Sequence, residues 1–301
     1  MNLSALGGII NMSKIAITTD TNSGMLPHEA DNIGLFVLPM PFVINGEPKL
    51  DGIDLTREEF YAHLKGKSAI TTSQPSVVEV SEFWRSILKD YDQIVHIPTS
   101  SQLSAACSTA QNLAKDSEFA GKIFVVDNGK ISIPLKRSAY DGVALRDQGK
   151  TAQEIVDELM ARKDDHSLYF SLESMEYLKR GGRISPAVAA IGSMLKLRPV
   201  LRVHQGKLEK FSTPRTIQKA KEIMKSAIQK DVAEKFAGVP HDELKLYLVH
   251  GENTQETENL KEELAKLFPD IEFVSDDPMS LSVACHTGPG TFAIGVCKIV
   301  K

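Results

Sequence analysis

Short apolar runs that suit β-strands alternate with amphipathic helical patterns in the first half of this chain, and this alternation limits the folds available to it. The first run, at 14–20, ends at Asp20 and is followed directly by turn-forming residues. Further strands are predicted at 35–44, 94–98 and 123–127, and helices at 26–33, 57–64, 77–89 and 103–114. Strands that alternate with helices predict a mainly parallel, doubly wound α/β sheet.

A polar segment at 162–165 follows a predicted helix at 152–160 and marks a candidate linker. We therefore expect two domains, an N-terminal α/β domain over 13–164 and a C-terminal α+β domain over 165–301. In the second domain, strands are predicted at 168–172, 200–203, 208–211, 245–250, 272–275 and 291–300, and helices through Tyr177 and at 186–197, 216–236 and 255–267. A ligand site is expected in the crevice between the domains, because open α/β sheets bind ligands at the carboxyl ends of their strands.

Composition and charge exclude several classes of partner. The 301 residues carry a formal net charge of −4 with no basic block, so the sequence does not indicate nucleic-acid binding. The most apolar stretch, 184–201, contains prolines and charged residues and is not an unbroken apolar segment of the length that spans a bilayer. The first twelve residues lack the features of a signal peptide, so we expect a cytoplasmic protein.

The cysteines predict neither disulfides nor a metal site. Cys107, Cys285 and Cys297 are odd in number and have no C-x-x-C spacing. We interpret them as small buried side chains and expect no bound metal.

Three separated segments place hydroxyl side chains, a histidine or glycines at the predicted ends of strands or helices. They are Thr71-Thr72-Ser73-Gln74-Pro75-Ser76, Ser100-Ser101-Gln102-Leu103-Ser104 and His286-Thr287-Gly288-Pro289-Gly290. Hydroxyls, backbone N–H groups and an imidazole hold carboxylates or phosphates, and glycines let the backbone approach them closely. The segments therefore predict one anion site assembled from distant parts of the chain.

The second segment adds the expected electrostatics of a helix start. Ser100 or Ser101 is predicted to cap the helix at 103–114, which leaves Ser104 in its first turn. The partial positive charge at that end of a helix favours an anion.

Together with Tyr177-Leu178-Lys179-Arg180-Gly181-Gly182-Arg183-Ile184-Ser185, these segments resemble the DegV family of bacterial fatty-acid-binding proteins, the acyl-carrying subunits of fatty acid kinase. The resemblance covers the chain from Lys14 to Val300. It implies that Thr72, Ser104 and His286 bind the carboxylate of a long-chain fatty acid. In the family pattern glycine and threonine follow the serine at position 104, whereas this chain has Ala105 and Ala106.

The resemblance also implies roles for residues around these three. Ser73, Ser101, Gly288 and Gly290 would form a supporting loop around the head group. Arg183 and Arg215 would lie near the entrance and serve the transfer of phosphate.

By this resemblance the protein is a carrier without catalytic activity and without a cofactor. It would present the fatty acid to a separate, ATP-dependent kinase subunit that makes an acyl phosphate, with transient contact to a membrane surface.

The residues themselves leave other functions open: a hydrolase using Ser104 and His286, a phosphotransferase acting on a small substrate, or a lipid-responsive regulator. A hydrolase would lack the Gly-x-Ser-x-Gly elbow. Structural roles also remain open, because Ser/Thr clusters often cap helices and lone histidines and arginines are often structural or solvated.

Overall fold

The computed structural model describes residues 13–66, 68–183, 197–252 and 255–301. Most of the helix predicted at 186–197, together with Ile184 and Ser185, lies outside the described residues. The strands are β1 (Ile15–Asp20), β2 (Leu35–Leu38), β3 (Pro41–Ile44), β4 (Glu47–Leu50), β5 (Ile70–Thr72), β6 (Gln93–Ile97), β7 (Ile123–Val125), β8 (His166–Ser171), β9 (Val200–His204), β10 (Lys207–Ser212), β11 (Leu244–His250), β12 (Glu272–Pro278) and β13 (Phe292–Lys298).

Five helices of the described residues begin at a side-chain cap. The described helices are α1 (Arg57–Lys65), α2 (Val77–Ile87), α3 (Ala106–Leu113), α4 (Ile133–Asp147), α5 (Ala152–Ala161), α6 (Glu176–Gly181), α7 (Ile217–Glu234), α8 (Gln255–Leu267) and α9 (Leu281–Thr287). Thr56, Ser76 and Thr151 each form a capping box with the glutamate three residues later, which explains where α1, α2 and α5 begin. No helix in the described ranges is long and apolar enough to cross a bilayer.

The first sheet is parallel, with strand order β2-β1-β6-β7. Alternate residues of β1 point to opposite faces, so that Ile15 and Ile17 pack with α4 and α5, whereas Ala16 packs with α2 and α3. Helices thus cover both faces, and the prediction of a mainly parallel, doubly wound sheet is confirmed.

The second sheet has six strands in the order β10-β9-β8-β13-β11-β12, and all its pairs are antiparallel except β11 with β12. One face packs against α7 and α8. The other face carries Leu168, Phe170 and Ala293 and packs with α6, α9 and the first half of the chain. This arrangement confirms the predicted second, sheet-rich domain.

A small antiparallel sheet, β4-β3-β5, was not predicted. Its residues Phe42 and Ile44 share one core cluster with Leu168 and Phe170 of the six-stranded sheet. The segment 41–72 therefore contributes to a core built mainly from the second half of the chain. The division at 164 and 165 stays a prediction.

Two predicted elements were wrong. Instead of a helix at 26–33, a single 3-10 turn forms at Asp31–Ile33 and ends at the left-handed Gly34. Ala30 is the one buried side chain of 28–33, so a helix there would have no apolar face to pack. The predicted strand at 35–44 is two strands in different sheets, since Pro39 lacks an N–H and Met40 N donates instead to Thr21 Oγ1 at 3.0 Å. The three cysteines are free and buried, as interpreted from the sequence.

Candidate ligand-binding site

A cavity lies between the six-stranded sheet, α9 and the loops that follow β1, β5, β6 and β7. Its empty volume is about 840 Å³, which includes the mouth that opens to solvent. The loops after β1, β6 and β7 leave the carboxyl ends of parallel strands, which is where the sequence predicts a crevice. Apolar side chains of the sheet form one wall, among them Leu168, Phe170, Val203, Leu208 and Ala293.

Thr72 and His286 meet on this cavity, although they are 214 residues apart. Thr72 is the last residue of β5, and its Oγ1 lies 2.8 Å from Nε2 of His286. His286 lies in the last turn of α9, a helix that was not predicted. The short helix and the small sheet together bring these two candidate residues into contact.

The imidazole of His286 is neutral near pH 7. Burial, assisted by the positive charges of Arg183 and Arg180, lowers the pKa of His286 to about 4. Its Nδ1 is buried and has no hydrogen-bond partner within the described part of the chain. A neutral ring presents one N–H donor and one acceptor, so Nε2, which contacts the cavity residue Thr72, carries a hydrogen in one of the two tautomers.

Gly181, the last residue of α6, packs against the ring of His286. A Cβ at position 181 would overlap Nδ1 and would come within 2.7 Å of Cε1. Only glycine lets α6 and α9 approach this closely with the histidine in its present position.

Ser104 lines the same cavity and is half-buried, but it does not lie in the first turn of a helix. The predicted cap at Ser100 or Ser101 was wrong, because α3 begins at Ala106 and has no side-chain cap. Ser104 Oγ accepts from Ala106 N at 3.3 Å, while Ser104 N donates to the carbonyl of Ser100 at 3.0 Å. These bonds hold the hydroxyl in the loop just before the helix.

The other predicted head-group residues divide into two groups. Ser73 follows Thr72 on the cavity wall. Ser101, Gly288 and Gly290 are not among the lining residues; Ser101 N donates to Asp127 Oδ1 at 3.2 Å. Both glycines have positive φ angles, and a Cβ there would overlap the Tyr177 ring or the Glu173 carboxylate, so they let the loop after α9 pack against the α6 region.

Arg183 lines the cavity and Arg215 does not. The Arg183 side chain is exposed, and its Nη1 donates a hydrogen bond to the carbonyl of Gly181 at 2.8 Å, which holds it in place. Arg215 is exposed, just before α7. Of these two arginines, Arg183 therefore contributes a cationic group to the cavity wall and Arg215 does not.

The arrangement differs from that of a serine hydrolase. A hydrolase base contacts the nucleophile with one nitrogen and an acid with the other. Here His286 Nε2 contacts Thr72, and Nδ1 faces Gly181. The residues described also contain no group of three His, Cys, Asp or Glu side chains arranged to hold a metal ion.

A family model described as "Uncharacterised protein, DegV family" matches residues 14–298. This chain belongs to the DegV family. A DegV domain-containing protein of Staphylococcus aureus is 27% identical over 290 residues, which cover 95% of this chain and 100% of that protein.

Solved DegV structures share the fold. A DegV family protein from Thermus thermophilus, whose structure is described by its fatty acid binding, has a TM-score of 0.85 and 26% identity, covering 95% of this chain and 100% of that chain. DegV of Bacillus subtilis, described as a fatty acid binding protein, has a TM-score of 0.82 and 26% identity, covering 95% of this chain and 99% of that chain.

This DegV family chain carries cavity residues that sequence reasoning missed. Asn22, Thr99 and Ser282 line the cavity, and Thr99 donates to the buried Asp20. Asp20 accepts from Asn22 N at 3.0 Å and so caps the turn that follows β1. Burial raises the pKa of Asp20 to about 6. Asn22 could have been identified from the sequence, because it lies in the turn after β1, at the carboxyl end of a parallel strand. No sequence pattern indicated Ser282, because helix α9, in which it lies, was not predicted.

Proposed function

We propose that this protein binds one long-chain fatty acid in the cavity, with the carboxylate at Thr72, Ser104 and His286. The observation that carries the proposal is the 2.8 Å contact between Thr72 and His286 on the wall of a cavity with a largely apolar lining. Relatives of the same fold from Thermus thermophilus and Bacillus subtilis are described as binding fatty acids, which supports the same ligand class here.

The lining suits the two ends of such a ligand. Burial of an acyl chain against the sheet contributes about 0.8 kcal/mol per CH₂ group. The carboxylate, which loses water on entry, takes the place of the direct contact between Thr72 and His286. It then accepts hydrogen bonds from the hydroxyls of Thr72 and Ser104 and from the Nε2–H of His286. The apolar wall therefore provides affinity, and the polar donors fix the orientation of the chain.

His286 changes its proton affinity when a carboxylate arrives. In the free protein its pKa is about 4, so the ring enters the complex neutral. A carboxylate within hydrogen-bond distance favours the charged imidazolium and raises this pKa again. Binding is thus coupled to proton uptake at His286.

We further propose that the bound acid is phosphorylated by a separate kinase subunit in the cytoplasm. One carboxylate oxygen would attack the terminal phosphorus of ATP held by that subunit, forming an acyl phosphate while the bond to ADP breaks. Arg183 at the cavity would offset the negative charge of the carboxylate and the transferred phosphate, and Arg215 would assist the transfer from the docked kinase subunit. The carrier itself supplies no catalytic group, and acyl chains would enter from a membrane surface by transient contact.

The ligand is tested by analysing what the protein carries. Native mass spectrometry of untagged protein, followed by solvent extraction, should find one fatty acid per chain. Thr72→Ala, Ser104→Ala and His286→Ala should each lower retention. A protein that stays empty after incubation with fatty acids contradicts the proposal.

The kinase step has its own test. The loaded protein alone should not consume ATP, and addition of a fatty acid kinase subunit should yield acyl phosphate. Turnover of acyl esters by the protein alone, abolished by Ser104→Ala, would instead support a hydrolase.

A further inference from the structure

A chain of hydrogen bonds between buried side chains crosses the cavity wall beside α9. Ser282 Oγ donates to Asn22 Oδ1, Asn22 Nδ2 donates to Thr99 Oγ1 at 3.0 Å, and Thr99 Oγ1 donates to Asp20 Oδ1 at 2.8 Å. Asn22, Thr99 and Ser282 are only 7%, 1% and 5% exposed, and all three line the cavity. The carboxylate site does not use them, so the ligand meets a second polar patch in the cavity.

The direction of these bonds decides what the patch can still bind. A serine or threonine hydroxyl has one hydrogen and an asparagine amide has two. The hydrogens of Ser282 and Thr99 point to Asn22 and Asp20, and one amide hydrogen of Asn22 points to Thr99. One N–H of Asn22 therefore remains as a donor, and a lone pair of Ser282 Oγ remains as an acceptor; neither is used by another group within the described ranges.

This donor and acceptor are held in place by the surrounding backbone. Asp20 accepts from Thr99 N at 2.7 Å and from Asn22 N at 3.0 Å. Asp51 accepts from the backbone N–H groups of Leu281 and Ser282, each at 3.3 Å, at the start of α9. Because the polar groups are already ordered, a ligand atom that pairs with them costs little rearrangement.

The patch lies near the carboxyl end of the bound chain. Ser282 and His286 are four residues apart on α9, so they share one face of the helix and are separated by about 6 Å along its axis. A ligand whose carboxylate contacts His286 brings the carbons next to its carboxyl group, rather than its methyl end, close to Ser282.

A plain methylene at this level leaves the donor and the acceptor unused. A hydroxyl group at the same level accepts from Asn22 and donates to Ser282, because it offers both a lone pair and a hydrogen. We propose that the cavity is adapted to fatty acids with a hydroxyl on the β-carbon, and that Asn22 and Ser282 form the hydroxyl subsite. This inference rests on the proposed carboxylate site at Thr72, Ser104 and His286.

The test compares three acids by isothermal titration calorimetry: palmitic acid, β-hydroxypalmitic acid and an isomer hydroxylated near the middle of its chain. The hydroxyl loses its hydrogen bonds to water when it binds, so we count the net gain as that of one hydrogen bond. Wild-type protein should then bind the β-hydroxy acid roughly two- to tenfold more tightly than palmitic acid. The mid-chain isomer should bind more weakly than both, because its hydroxyl is buried against apolar groups. One enantiomer of the β-hydroxy acid should account for the preference, since donor and acceptor are fixed.

Ser282→Ala removes the acceptor, which is one of the two partners of the hydroxyl, and should therefore reduce the preference for the β-hydroxy acid. Any general effect of this change on α9 acts on both acids, so the ratio of their affinities isolates the hydroxyl contact. Thr287→Val is the matched control: it removes another cavity hydroxyl of α9, one that donates to Val283 O at 3.3 Å, and it should keep the wild-type ratio.

The outcomes separate this inference from the proposed function. If palmitic acid binds but the β-hydroxy acid binds more weakly to wild-type protein, the hydroxyl subsite is refuted and the carrier function stands. The same conclusion follows if Ser282→Ala keeps the wild-type ratio. If neither acid binds, both proposals fail.

Discussion

Replacing Gly181 with alanine tests whether the packing of α6 against α9 fixes the position of His286. The new Cβ would lie 2.7 Å from Cε1 of the imidazole, whereas ordinary contacts of this kind begin near 3.4 Å. The ring must therefore move by at least about 0.7 Å, the difference between these distances, because Nδ1 lies closer still to the new Cβ; otherwise α6 must move instead. Either movement misaligns the 2.8 Å contact between His286 Nε2 and Thr72 Oγ1.

The expected loss is that of one hydrogen bond to a charged ligand group. Such bonds contribute about 1.5–3 kcal/mol, which corresponds to roughly a 10- to 150-fold weaker affinity for a fatty acid. The fold itself should tolerate the change, because alanine is favoured over glycine in a helix by about 0.5–1 kcal/mol. Loss of affinity without loss of stability is thus the expected result.

Affinity is measured by calorimetric titration with palmitic acid, and the position of the ring by the nitrogen chemical shifts of His286. Gly182→Ala is the matched control, since Gly182 has a φ of 66° and no atom within 4 Å of a Cβ built there. That variant carries backbone strain of about 1–2 kcal/mol but leaves the ring in place. The reasoning is refuted if Gly181→Ala binds like wild type with unchanged His286 shifts, or if Gly182→Ala loses as much affinity.

Three further substitutions test other parts of the site. Thr72→Val removes one hydroxyl donor and should weaken fatty acid binding roughly 10- to 150-fold. Thr71 is an exposed neighbour outside the cavity lining, so Thr71→Val should leave the affinity unchanged. Equal losses of affinity in calorimetry would contradict the assigned contact. The pKa of His286 is about 4 in the free protein and rises beside a carboxylate, so the protein should take up a proton when it binds ligand just above pH 4. Calorimetry in buffers of different ionisation enthalpy measures this uptake, and His286→Ala should abolish it. Val203→Phe should fill part of the apolar wall and shift preference to shorter acids, with about a fourfold loss for each CH₂ group that no longer fits; an unchanged length preference would mean that the tail lies elsewhere.

The single tryptophan provides a common check that these variants fold. Trp84 is fully buried in α2, where it packs edge-on against Phe119 and His96, and no cavity residue belongs to that cluster. Its fluorescence should therefore report the N-terminal core independently of ligand binding.

Local sequence patterns predicted the short apolar strands and the helices that have a single apolar face. The parallel sheet follows from alternating strands and amphipathic helices, and α8 was placed with the bounds that the structure has. Helix α4 escaped prediction because it is buried on several sides, including Asp141 and Gly142, so its sequence has no single apolar face. Helix α9 escaped because seven residues are too few to establish a period.

The sequence indicated which residue types the candidate site would contain but not how they are arranged. Hydroxyls and a histidine at element ends indicated an anion site, and Thr72 and His286 do meet. The need for glycine at 181 arises from a ring 105 positions later in the chain, and no local pattern records such a contact. Likewise, the pairing of Ser282 with Asn22 depends on where α9 docks, which only the folded core determines.

The strand order of the six-stranded sheet bears on when the protein can first hold a ligand during its synthesis. Strand β13 follows all other strands of that sheet in the chain, yet it lies inside the sheet and joins β8 to β11. As the chain leaves the ribosome, β8, β9 and β10 appear first and β11 and β12 later, and these groups cannot pair into one sheet until β13 emerges. The parallel sheet needs no strand beyond Val125 and can form much earlier. Ala293 of β13 is part of the cavity wall, so the cavity, and with it the site proposed for the fatty acid, is complete only after translation has passed this strand.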